Sequence, residues 1–101
     1  MPNKRFTIPR RKIAAFCERW HISEFSVFGS ALRRDFKPDS DIDVLVTFGP
    51  EAHVSLFDLA QIQIELESLF GRRVDLVEKS GLRNPYRRRE ILRTAQVVYA
   101  A

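Results

Sequence analysis

The sequence predicts an α/β domain in which a small three-stranded sheet carries flanking helices, an arrangement that also reads as α+β. Three observations predict it. Apolar residues recur with helical spacing in separate segments, short runs rich in β-branched residues lie between them, and Gly, Pro, Asn and Ser mark the changes of period. The chain has 101 residues, enough for a single core, so residues 1–101 are read as one domain.

In 9–20, Ile13, Phe16, Cys17 and Trp20 fall at i, i+3, i+4 and i+7, which predicts an amphipathic helix with Pro9 in its first turn. Residues 25–28 are too few and too aromatic for a helix and read as a strand ending at Gly29. Ser30 is placed at the N-cap of a short helix, and the turn "KPDS" closes it. The run 41–48, "DIDVLVTF", is β-branched and apolar enough for a central strand.

Ser55 with Asp58 signals the start of a helix reaching about Phe70, with Leu56, Leu59, Ile62, Leu66, Leu69 and Phe70 as its buried stripe and Gly71 as its stop. A third strand covers 72–79. Asn84 as cap and Pro85 as first residue predict a last helix, on which Ile91, Leu92, Ala95, Val98 and Tyr99 share one face. There is no internal repeat and no low-complexity linker.

The formal net charge of +4 points to an anionic partner. Basic residues gather at both ends, Lys4 to Lys12 and Arg83 to Arg93, with the acids between them. No apolar stretch approaches the roughly 20 residues that cross a bilayer, and the basic start lacks the apolar region of a secretory signal, so a cytoplasmic chain without a membrane partner is expected. Cys17 sits on an apolar helix face and reads as a core thiol. His21 and His53 lack metal-ligand spacing and read as surface residues.

Two carboxylates inside an apolar strand demand an explanation. Asp41 and Asp43 lie one residue apart, so they share a face with Cα atoms ~6.6 Å apart, while Ile42, Val44 and Val46 turn to the other face. Burying such a pair costs several kcal/mol at least unless something positive sits between them. Divalent cations are the hard partners that oxygen donors of this kind serve. Asp75 is a third acid set among apolar strand residues, able to join the same cations or to act as base toward an acceptor hydroxyl if the strands adjoin. Gly29 allows close backbone approach, and Ser30 at the start of the next helix offers donors for phosphate, with Arg33 one turn on. Together these parts describe a site for a metal-bound nucleoside triphosphate.

At these residues the chain resembles the minimal nucleotidyltransferases of the DNA polymerase β superfamily. Their signature of Gly-Ser, ten residues and Asp-x-Asp is matched by Gly29-Ser30, "ALRRDFKPDS" and Asp41-Ile42-Asp43. Arg33 matches an arginine of the family's pattern, and Arg34 stands where that pattern has Gly. The resemblance implies a polymerase β-like fold with a mixed sheet, triphosphate held by Gly29, Ser30 and Arg33, and Mg²⁺ bound by the catalytic acids Asp41, Asp43 and Asp75. It also implies an antitoxin that transfers AMP from ATP to a tyrosine of a partner HEPN-type ribonuclease toxin.

Two rival readings stand beside this one. A catalytically weak domain would neutralise its partner by covering it, and a transferase for small hydroxylated molecules would keep the chemistry but normally carries a further helical domain. The run "YRRRE" at 86–90 puts arginines against the helix dipole and reads equally as a solvated face or a partner surface. Direct nucleic-acid binding is not expected, because no aromatic-interleaved or helix-turn-helix pattern accompanies the basic residues.

Overall fold

The structure, a computed structural model, describes residues 8–29 and 41–101. Helix α1, Arg10–Trp20, follows Pro9 at its cap and buries Ile13, Phe16 and Cys17, three of the four residues of the expected stripe. Trp20 is half-buried, and its indole Nε1 donates to Glu65 at 3.1 Å. The chain leaves the helix through His21, which adopts the left-handed region at φ 59 and donates its N–H to the carbonyls of Cys17 and Glu18.

Strand β1, Ile22–Phe28, is longer than expected, and β2 runs Ile42–Phe48. Helix α2, Leu56–Phe70, starts with the predicted capping box: Asp58 N–H donates to Ser55 Oγ at 3.1 Å and Ser55 N–H donates to Asp58 Oδ2 at 3.0 Å. Gly71 ends it at φ 69. Strand β3, Val74–Glu78, leads through a 3-10 turn, Lys79–Gly81, to helix α3, Pro85–Thr94, where Asn84 Oδ1 accepts from Tyr86 N–H at 3.0 Å and Arg87 N–H at 3.1 Å. The expected short helix after Ser30 lies outside the described residues.

Among the described residues the sheet has four strands rather than three. Residues Gln96–Ala100 form strand β4 instead of prolonging the last helix, so Val98 and Tyr99 belong to the sheet. The spacing of Ile91, Ala95, Val98 and Tyr99 fits a helix, but "QVVYA" is β-branched and aromatic, and β1 offers it an open edge. Pairing there satisfies backbone groups along β1 that would otherwise lack partners. The strand order is β3-β2-β1-β4, with β2 and β3 parallel and the other pairs antiparallel, which makes the sheet mixed as expected.

The two faces of the sheet are used differently. On one face Ile42, Val44 and Val46 of β2 join Phe25 and Val27 of β1 beneath α1 and α2 in the main core. On the other, Leu45 and Phe28 meet Leu82 and Ile91, so α3 covers the second face through a small cluster. The expected stripe of α2 is buried at Ile62 and Leu66 and half-buried at Leu59, Leu69 and Phe70, but Leu56 is 83% exposed. Leu56 is the first helical residue, ahead of the turns that rest on the sheet.

Two outcomes follow for stability. Urea denaturation of Ile62→Ala is expected to show a loss of about 2–5 kcal/mol, whereas Leu56→Ala stays within about 0.5 kcal/mol of the parent. Burial pushes the Cys17 thiol from the ordinary 9.0 up to about 12, with Glu18 adding to the shift. The unfolded thiol therefore ionises first as pH rises, so stability falls between pH 9.0 and about 12, and Cys17→Ala removes that part of the decline. Titration of unfolding midpoints against pH measures the difference.

Candidate active site

The carboxy end of β1 and the amino ends of β2 and β3 meet at one side of the sheet. Phe28 pairs with Asp43, and Gly29 follows at φ 69. A Cβ on Gly29 would overlap Asp43 Oδ2 and come to 3.1 Å from Asp43 Cγ. Glycine is required there twice over, by the left-handed backbone and by the carboxylate packed against it.

Asp43 and Asp75 are register partners in the parallel β2–β3 pair. Neighbouring strands lie ~4.8 Å apart, so the two carboxylates leave adjacent backbones on the same face. Leu45 and Val77, two residues further along, join the small cluster under α3, which puts both acids on that face. Asp43 is half-buried and Asp75 exposed. Two like charges so placed repel each other, and a cation between them relieves the repulsion.

Asp41 stands just before β2, where Arg73 Nε lies 3.4 Å from its Oδ1. Parallel register explains the pair: Ile42 partners Val74, so the preceding residues Asp41 and Arg73 are brought alongside. Both side chains are largely exposed, which limits the pair to about 1 kcal/mol or less. Among the described residues, no group of three or more His, Cys, Asp or Glu side chains is arranged to hold a metal ion. The structure thus brings Gly29, Asp43 and Asp75 together and leaves Asp41 beside a cation of the protein's own. Ser30 and Arg33 lie outside the described residues. The donor chemistry of Asp43 and Asp75, oxygen atoms on a partly solvated face, fits a hard divalent cation such as Mg²⁺.

A cavity of about 680 Å³ opens beside Gly29, lined by Phe28, Arg87, Glu90, Ile91 and Gln96 among others. Glu90 is engaged by Arg93, whose Nη2 lies 2.9 Å and 2.8 Å from the two carboxylate oxygens and whose own pKa is raised by that hydrogen bond. Sequence reasoning missed Arg73 and did not single out Arg87. Only the parallel register reveals the first, and only the placement of α3 over the second face brings the other to the cavity.

Gly29→Ala and Gly71→Ala both force a side chain into the left-handed region, worth about 1–2 kcal/mol each, but Gly71 has open space around it. Thermal unfolding is expected to show a larger loss for Gly29→Ala, because only there must the Asp43 carboxylate move.

Residues 10–98 match the nucleotidyltransferase domain family. The protein adenylyltransferase MntA of Thermococcus cleftensis is 46% identical over 67 residues, 66% of this chain and 66% of that protein. A solved structure described as a minimal nucleotidyltransferase superposes with a TM-score of 0.71 at 38% identity, covering 86% of each chain. A complex of a tri-AMPylated Shewanella oneidensis HEPN toxin with its MNT antitoxin shares the fold, with a TM-score of 0.65 at 17% identity over 91% of this chain and 70% of that one. With a match spanning nearly all of its described elements, this chain belongs to the nucleotidyltransferase domain family.

Proposed function

We propose that this protein is an antitoxin that transfers AMP from ATP to a hydroxyl of a HEPN-type toxin, its acceptor being a tyrosine. The observation that carries the reading is the meeting of Gly29, Asp43 and Asp75 at one side of the sheet. It is supported by the relative named as a protein adenylyltransferase and by the AMPylated toxin in the related complex.

Each residue has a part. Gly29 lets the triphosphate approach the backbone at the end of β1, and Ser30 and Arg33 are assigned to the same phosphates. Asp75, the more exposed of the adjoining acids, takes the proton of the acceptor hydroxyl. The freed oxygen attacks the α-phosphorus in line, the bond to the bridging oxygen of the β-phosphate breaks, and pyrophosphate leaves. Mg²⁺ is assigned to Asp43 and Asp75, with Asp41 joining on release from Arg73, and when bound it supplies positive charge to the phosphate oxygens. The open face gives a protein acceptor room to approach. A cytoplasmic setting belongs to the same proposal, and no helix among the described residues is long and apolar enough to cross a membrane.

Incubation with labelled ATP, Mg²⁺ and the cognate toxin, followed by intact-mass spectrometry, is expected to show added AMP on the toxin. Asp43→Asn is expected to lower the rate by at least about a hundredfold, and removal of Mg²⁺ by chelation to abolish transfer. Neutralisation of the toxin by Asp43→Asn without any label would instead establish silencing by binding alone.

A further inference from the structure

We infer that Arg87 is a positioning residue for the polyphosphate end of the nucleotide, engaging the β- and γ-phosphates that leave as pyrophosphate. The inference rests on the nucleotide reading of Gly29 given above and extends it to a residue on α3.

Three observations carry it. First, Arg87 and Gly29 line the same cavity, which puts Arg87 at the border of the space next to the turn assigned to the phosphates. Second, the charge of that cavity is unbalanced. Its acid, Glu90, is already held by Arg93, which leaves Arg87 as the cation without a counter-charge among the lining residues named. Third, Arg87 differs from its neighbours in partnership. Arg88 donates from Nη1 to the Lys79 carbonyl at 3.4 Å and Arg93 holds Glu90, whereas the Arg87 guanidinium has no hydrogen bond or ion pair among the described residues.

An arginine in the first turn of a helix opposes the dipole, so the position is electrostatically unfavourable until an anion arrives. The planar fork of the guanidinium matches phosphate oxygens two at a time. A lysine there would bind as a point charge. The opposite end of the nucleotide carries no charge and has no use for this cation.

Calorimetric titration with α,β-methylene-ATP and, separately, with AMP tests the assignment in the presence of Mg²⁺. Arg87→Gln is expected to weaken the triphosphate analogue about tenfold and to leave AMP unchanged, with Arg87→Lys in between. Arg89→Gln, an exposed change in the same helix outside the cavity, is expected to leave both affinities as they are. Circular dichroism melts confirm that each variant is folded. Equal binding of the analogue by Arg87→Gln and the parent overturns the inference while the nucleotide reading stands. So does an equal loss for both ligands, or a loss matched by Arg89→Gln. A parent protein that binds neither ligand overturns both readings together.

Discussion

The in-register parallel pairing of β2 with β3 is the constraint on which the site depends. Ile42 and Val74 are partners and both are buried in the main core; the next pair along is Asp43 and Asp75. A slip of one residue would turn Asp75 toward the core in place of Val74 and turn Val74 toward solvent. The burial of an unpaired carboxylate, several kcal/mol at least, then stands against the slipped form. Apolar packing on one face therefore fixes the spacing of charges on the other, with no direct bond between the acids needed.

The same division explains why the two faces differ so much in content. Among the described residues, the core under α1 and α2 holds twelve buried residues, while the cluster under α3 holds four. A sheet face packed as fully as the first would leave no opening beside Gly29. Covering the second face lightly, with Ile91 and Leu82 reaching down to Phe28 and Leu45, anchors α3 and keeps the adjoining space open. Glu65 reinforces the heavier side, accepting from Trp20 Nε1 and pairing with Arg19, so that α1 and α2 are tied to each other as well as to the sheet.

Much of this was legible in the residues because local signals and tertiary demands agree. Ser55 with Asp58, Asn84 with Pro85, and Gly71 each mark a helix end by chemistry that acts within a few residues, and each sits where that chemistry places it. Asp43 and Asp75 were readable as candidate site residues because a carboxylate in an apolar strand needs a reason. The fourth strand was not legible, since the spacing of Val98 and Tyr99 suits a helix and the open edge of β1 that claims them lies on the far side of β2, α2, β3 and α3 in sequence. Leu56 fits the helical period but stands at the first position of α2 and is left exposed. The Arg73–Asp41 pair depends on strand direction, which composition and spacing leave open.

The late position of β4 has a consequence for biosynthesis. β1 lies second from one side of the sheet, and the strand that covers its outer edge is made only after β2, α2, β3 and α3, with Ala101 N–H donating to the Ser23 carbonyl at 2.8 Å. A nascent chain halted anywhere before that stretch presents a bare strand edge, which invites association with other chains or capture by chaperones. Closure of that edge during synthesis therefore waits for β4, long after β1 itself has been made.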